Sequence, residues 1–520
     1  MHSEARFFAN NDGSFLHYCE PPMTPDTFVY EAVGRFIGTQ VDAVVCHMFG
    51  FGSATPMYPT NVPEAKGLDY EQVDYVSNWR TQQILKRLWA QGLDPWKEAV
   101  EALHAVDMQF WAGMRFCDIH STSFEWVNEF AENHPEYRMR EKCPSERHTP
   151  DRPCNGFNYS IPEVRSHRLA LIEEVCSRYD IDGFELDFNR HPGHAFPDIE
   201  KGRPILTDYM RQVTKLLQDI GDKRGRPVAF AIRTPDTLKR CHEIGLELKT
   251  WIEEDLLDII TPSTHWGTVT DIPFHEFIDL TQDMNCRIYG CISEEVGPGD
   301  DRPTSADALR ATACNAWRQG IDGVYLFNFH HPTMHEIDDS EVLSQLGNPD
   351  TLRFKNKQYA VGPSKIKPRM NDPQKVKGAG VDRLPVILRP QAEGAGHTFG
   401  FSVGDDLATA SAMGILDSVQ LQLAVVNLTV EDRFEFKLNG KLLPEKPHRR
   451  IIPFHFRVPN HASFHGNYML EYDLRVGDWV NQGENTVELV LRHRNPMISP
   501  DFIVYDMRLD IKYRILPIRG

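Results

Sequence analysis

Tyr179-Asp180-Ile181-Asp182-Gly183-Phe184-Glu185-Leu186-Asp187-Phe188-Asn189-Arg190-His191-Pro192 is the stretch that decides the fold. It reads as a β-strand. Side chains alternate across a strand, so Phe184, Leu186 and Phe188 share one face and Glu185, Asp187 and Asn189 share the other. A parallel strand is covered on both faces. The apolar face then meets helices, and the polar face points into a closed barrel. Seven further short apolar runs support this: RFFAN (6–10), DAVVCHM (42–48), MQFWAGMR (108–115), VAFAIR (228–233), LDIITP (257–262), RIYGCIS (287–293) and GVYLFNF (323–329). With 182–188 they make eight, and helical patterns lie between them. Eight strand–helix units in about 330 residues predict an α/β fold, a (β/α)8 TIM barrel. An open doubly wound sheet is the rival, but no GxGxxG follows the first run.

The helix starts are equally legible. Thr24-Pro25-Asp26, Ile161-Pro162-Glu163 and Thr304-Ser305-Ala306-Asp307 each place a cap or a proline where a helix opens. Two inter-strand segments, 49–106 and 117–159, exceed a simple crossover. The first is expected to hold helices near 72–91 and 94–105. Both follow the C-terminal ends of strands, where loops build active sites in this fold. Residues 349–383 are polar, rich in Pro and Lys, and read as a linker or wrap-around segment. From 384 to 520 the rhythm becomes short alternating strands without helices, an all-β antiparallel sandwich. The expected organisation is a barrel over 1–348, the linker, and a non-catalytic sandwich. No internal repeat is visible.

Lys and Arg number 56 and Asp and Glu 74, a net charge of −18 over 520 residues. From Val376 onward, 17 basic and 17 acidic residues cancel, so the first 375 residues carry the whole excess. That balance argues against a nucleic-acid partner. No apolar stretch is long enough for a membrane span. The opening MHSEARFFANNDG has no signal-peptide pattern, which leans towards a cytoplasmic location. A homo-oligomer stays open. The ten cysteines show no CxxC pair. Most read as small buried hydrophobes, while Cys143 and Cys154 could pair in an oxidising compartment. No cofactor and no metal are expected from the motifs.

Chemistry concentrates at strand ends. Carboxylates inside a barrel are costly unless paired or working. For Glu185 an internal ion pair with Arg115 is one reading and substrate binding the other. Asp187 lies nearer the mouth, and catalysis or substrate contact is expected of it. Strand seven ends in Glu294-Glu295, followed by Gly297-Pro298-Gly299. Two carboxylates across a gap are what glycosidic cleavage needs, so Asp187 and Glu294 form the expected catalytic pair. On this reading Asp187→Asn stops turnover and spares the fold. Arg115, Arg190 and Arg233 gather at neighbouring strand ends. They suit either structural pairing with Glu185 or Asp118, or a carboxylated or sulfated sugar. His47, Asp118, His120, Asn189, His265, Trp266 and Asn328 complete the expected substrate-binding set. Trp111 and Tyr325 could stack on a sugar, with core packing as the alternative.

The run IPEVRSHRLALIEEVCSRYDIDGFELDFNRHP resembles the helix-three-to-strand-four signature of the family 10 glycosylhydrolase-like barrels. FANNDG, MRFCDIH and the segment GLELKTWIEEDLLDIITP are similar to the same broad group. DGFELDFNR is also similar to the strand-four motif of family 31 and family 36 alpha-glycosidases, a resemblance that implies a nucleophile at Asp187. LDIITPSTHW departs from those families, because it offers no carboxylate for the acid/base role. The C-terminal region resembles the sandwiches appended to glycosidase barrels. The expected activity is glycoside hydrolysis on an oligo- or polysaccharide. The alternatives are a non-catalytic carbohydrate-binding barrel and a metal-dependent barrel isomerase or hydrolase.

Overall fold

The computed structural model describes residues 5–50, 54–67, 75–118, 128–139, 156–190, 193, 195–264, 268, 270–293, 305–329, 339–361, 384, 386–388, 394, 396–444, 446–451, 467–475 and 477–514. Eight parallel strands close into a barrel in sequence order: β1 (Phe7–Asn11), β2 (Ala43–His47), β3 (Gln109–Arg115), β4 (Gly183–Asp187), β5 (Ala229–Pro235), β6 (Ile259–Ser263), β7 (Arg287–Ser293) and β8 (Gly323–Phe327). These are the eight runs read from the sequence. The intervening helices include Pro25–Ala32, Val76–Ala90, Pro95–His104, Pro162–Arg178, Ile199–Arg224 and Ala306–Gln319. Their ends follow local chemistry. Thr24 and Ser305 accept the amides of Thr27 and Ala308, and Pro162 occupies a position that has no helical hydrogen bond to lose.

The barrel has two apolar clusters. Phe184, Leu186 and Phe188 belong to the large one between strands and helices. Phe8, Val45, Trp111, Ile259, Tyr289 and Tyr325 fill the barrel's interior. Trp111 and Tyr325 are therefore core side chains, the packing alternative named for them above.

An internal repeat, absent from the sequence reading, is present in the hydrogen bonding. Asp42, Asp182, Asp258 and Asp322 each stand just before an even-numbered strand. Each carboxylate accepts an amide at the start of the preceding strand: Phe7 at 2.9 Å, Phe110 at 2.8 Å, Phe230 at 2.7 Å and Ile288 at 2.8 Å. Each aspartate amide donates back to the carbonyl of that same residue. The N-terminal rim is thus stitched four times by one device.

Beyond the barrel, β9 (Lys357–Val361), β10 (Val386–Leu388), β11 (Gly396–Val403), β12 (Leu416–Val426), β13 (Arg433–Leu438), β14 (Lys441–Leu442), β15 (His448–Ile451), β16 (Asn467–Asp473), β17 (Gly483–His493) and β18 (Phe502–Tyr513) form two antiparallel sheets. One runs β10-β18-β12-β16-β15 with β9 also on β18, and the other runs β11-β17-β13-β14. They share one core, including Phe401, Leu421, Leu489 and Leu509. Within the stretch expected to be a linker, Pro349–Leu352 is helical and β9 belongs to the larger sheet. Residues 362–383 lie outside the described residues. A buried Lys357 joins β9 to the segment after β11: its ammonium is 2.9 Å from Asp405, which also accepts the Tyr359 and Tyr513 hydroxyls.

A candidate active site at the barrel mouth

The C-terminal ends of β3, β4 and β5 set the site. Parallel register places Arg115, Asp187 and Arg233 side by side on the inward face. Arg233 Nη1 donates to both Asp187 oxygens, at 3.0 and 2.9 Å, and both side chains are covered from solvent. Asp187 Oδ1 also accepts the amides of Asn189 at 2.8 Å and Arg190 at 3.2 Å. Burial alone would raise the Asp187 pKa. Arg233, His47, Arg115 and the Asn189 amide outweigh it, and the carboxyl is held below its ordinary value. Burial likewise works against the Arg233 charge, yet Asp187 keeps that pKa raised. The Arg233 guanidinium also lies 3.6 Å from the centroid of the Phe327 ring.

Asp187, of which catalysis or substrate contact is expected, thus has a structural partner as well. The matched arginine comes from the next strand. Glu185 also differs from expectation. Arg115 does not take it; Arg115 pairs with Asp12 at 2.7 Å and Asp118 at 3.4 Å. Glu185 Oε1 instead accepts the Tyr325 hydroxyl at 2.8 Å and lies 3.6 Å from His47 Nε2. Glu185 and His47 are 0% and 1% exposed, as fully covered as Asp187.

Asn189, expected to bind substrate, has internal partners. Its amide donates to the carbonyls of Ser263 at 2.7 Å and Thr264 at 2.9 Å, tying β4 to the end of β6. Asn328 stands at the end of β8 with φ +55°, an uncommon conformation for a non-glycine residue, and its buried Oδ1 has no hydrogen-bond partner among the described residues. Arg190 is surrounded by charge. Burial and Arg115 push its pKa down to about 9 against the pull of Asp118, Asp12 and Asp187. Glu294, Glu295, His120, His265 and Trp266 lie outside the described residues, as do Cys143 and Cys154.

Two residues at this mouth escaped the sequence reading. Asp12 follows β1 and holds Ser14 as well as Arg115. The signal was a lone acid before a glycine in Asn11-Asp12-Gly13, where Gly13 has φ +83°. His17 lies nearby, and burial lowers its pKa to about 4 despite Asp12. Together the site offers an ionised carboxylate held by fixed donors, ringed by alternating acids and arginines. That arrangement suits a nucleophile or general base, since a depressed carboxyl carries no proton to give at neutral pH.

Comparison with known proteins gives a limited likeness. No protein-family model matches the chain. A stretch of 214 residues is 24% identical to the glycosyl hydrolase YngK of Bacillus subtilis (strain 168), covering 34% of this chain and 39% of that protein. The match thus spans less than half of that relative's length. Among solved structures, alpha-L-fucosidase isoenzyme 2 from Paenibacillus thiaminolyticus aligns with a TM-score of 0.42 at 13% identity, over 66% of this chain and 48% of its own. The family 36 alpha-galactosidase AgaA from Geobacillus stearothermophilus aligns with a TM-score of 0.37 at 14% identity, over 98% and 55%.

Proposed function

We propose that the chain is a glycoside hydrolase whose nucleophile or base is Asp187. The observation that carries this is the placement of that carboxylate at the inward C-terminal end of β4, where Arg233 and the Asn189 and Arg190 amides hold it and favour its charged form. The name of the bacterial relative agrees with it, and so does the strand-four resemblance to family 10-like barrels. Glu294, the residue directly after β7, is the proposed proton donor, because β6 ends in Ser263, is followed by Thr264, and supplies no acid there. Asp187 is covered in this conformation, so turnover requires the side chains of the mouth to part. The substrate is an oligo- or polysaccharide.

An acidic sugar is the finer proposal. Arg115 and Arg233 already face internal carboxylates. Arg190 is the guanidinium whose surroundings disfavour its charge, so a sugar carboxylate or sulfate beside it would be stabilised. The experiment is a panel of neutral, uronic and sulfated chromogenic glycosides with wild type, Asp187→Asn and Glu294→Gln. Hydrolysis by wild type that both variants lose supports the reading. A panel without any turnover by folded wild type rejects it.

A further inference from the structure

The Phe, Tyr and Trp side chains that stand exposed among the described residues are Tyr18, Tyr30, Tyr75 and Trp79. Farther along the chain, from Val106 to Met497, the large exposed apolar side chains are Val, Ile, Leu or Met. All four aromatics thus fall between β1 and the first turn of the helix Val76–Ala90. A single exposed ring needs no explanation, but a local concentration of them marks a surface that meets something. Tyr18, Tyr75 and Trp79 are 53%, 55% and 40% exposed.

These three rings are borne by two segments that are pinned together. Tyr18 closes the short helix Phe15–Tyr18, which follows β1. Tyr75 precedes the helix Val76–Ala90, and Trp79 lies in its first turn. Arg80, next to Trp79, donates from Nη1 to the His17 carbonyl at 3.2 Å and from Nε to Glu20 at 2.6 Å. Phe15 and Leu16 bury the inner side of one segment, and Asn78 and Thr81 that of the other. The rings therefore project from packed backbone. The first segment also runs into the candidate site. The Ser14 carbonyl accepts the His17 amide at 2.9 Å. Asp12 accepts the Ser14 amide and hydroxyl at 3.0 and 2.6 Å and pairs with Arg115 at 2.7 Å. Arg115 is the register partner of Asp187. Direct contacts lead from the strand that carries Asp187 to the helix that ends in Tyr18.

We propose that Tyr18, Tyr75 and Trp79 are a binding platform at the rim of the barrel mouth, which takes sugar units of a glycan chain beyond the one whose bond is cut. This deepens the glycosidase reading and rests on it, and it makes the substrate a chain of several sugars. A pyranose presents a face of C–H groups that a phenol or indole ring can cover while the sugar hydroxyls stay in water. Exposed Glu20, beside Arg80, offers those hydroxyls an acceptor. Continuity with the mouth selects this occupant: a chain that leaves the site over the Asp12 loop meets these rings next.

The test compares the full chain with its Trp79→Ala, Tyr18→Ala and Tyr75→Ala variants. Affinity electrophoresis through gels holding polygalacturonate, carboxymethylcellulose or mannan measures binding without any turnover. Kinetics on the polymer that wild type cleaves and on a short chromogenic glycoside measure use of the platform. Wild type should be retarded by at least one polymer, and Trp79→Ala should weaken that binding about tenfold, each tyrosine change less. KM on the polymer should rise to match, with kcat/KM on the short glycoside unchanged. Should one variant fail to fold, the other two decide. Unaltered binding and KM in the folded variants overturn the proposal. So does an equal loss on the short glycoside, which would give the rings a role in the fold or at the cleaved bond. Wild type retarded by no polymer overturns it too. A dimer in light scattering that Trp79→Ala splits would put a second copy on the rings, with the same consequence. Wild type that cleaves nothing yet is retarded through these rings sinks the glycosidase reading and keeps the platform. Wild-type hydrolysis with unaltered variants does the reverse.

Discussion

Asp187 and Arg233 are register partners on β4 and β5, and Arg233 Nη1 lies 3.0 and 2.9 Å from the two carboxylate oxygens. Neither side chain reaches solvent. The residue proposed as nucleophile is therefore also half of a buried ion pair. Catalytic and structural roles meet in one carboxylate, and substitutions there will read out both.

Arg233→Ala leaves Asp187 buried without its cation. Removing one partner of a buried pair costs about 3–5 kcal/mol. Asp187→Asn should cost less, about 1–3 kcal/mol, because an amide oxygen can still accept the Asn189 and Arg190 amides. Urea unfolding of the two variants checks the order. Equal stability of Arg233→Ala and wild type would mean the pair contributes nothing.

Two groups should shape stability against pH in opposite directions. The folded Asp187 pKa is depressed below an unfolded value of about 3.9. Its contribution is whole above that value and is lost as pH falls through the folded one. His104 is the reverse case. A 2.9 Å hydrogen bond that its Nε2 donates to the Asp182 carboxylate raises its pKa in spite of partial burial. Its contribution is whole below about pH 6.5 and is lost as pH rises through the raised value. Unfolding free energies of His104→Asn and wild type, taken from about pH 6 to pH 9, should converge on the alkaline side. A constant gap across that range would contradict the assignment.

Gly113→Ala should displace His47, since the new Cβ would stand 2.6 Å from Cδ2 of its ring. Overpacking of this kind costs about 1–3 kcal/mol. Thermal melting measures it, and a crystal structure of the variant should show the imidazole moved. Full stability with His47 in place would show that the wall yields elsewhere.

The N-terminal rim should affect stability alone. Asp322→Ala removes the acceptor of the Ile288 amide at 2.8 Å and should cost about 1–3 kcal/mol. Turnover per folded molecule should not change, because the rim is at the far end from the site. A fall in kcat would link the two ends of the barrel.

The strands were legible because their apolar runs and the alternation in β4 are local properties of the chain. The four rim aspartates were present in Val41-Asp42, Ile181-Asp182, Leu257-Asp258 and Ile321-Asp322. Unequal insertions between them hid the repeat from any search for a fixed period. The partner of Asp187 was hidden for a different reason. Arg233 was named at its strand end, but which acid it meets depends on register between β4 and β5, and register is a tertiary fact. Depth was equally invisible. Glu185 and Asp187 share a face by alternation, yet two residues along a strand separate a candidate nucleophile from a group beneath it. Asp12 carried too weak a signal, one acid beyond a short strand.

The most direct measurement is kcat/KM for Asp187→Asn, beside wild type, on the glycoside that wild type cleaves fastest, with folding verified by circular dichroism. A loss of roughly 10⁴-fold or more in a folded variant is the predicted result. Wild-type cleavage that survives within about tenfold in folded Asp187→Asn would contradict it, since such a residue makes no bond and moves no proton in the reaction.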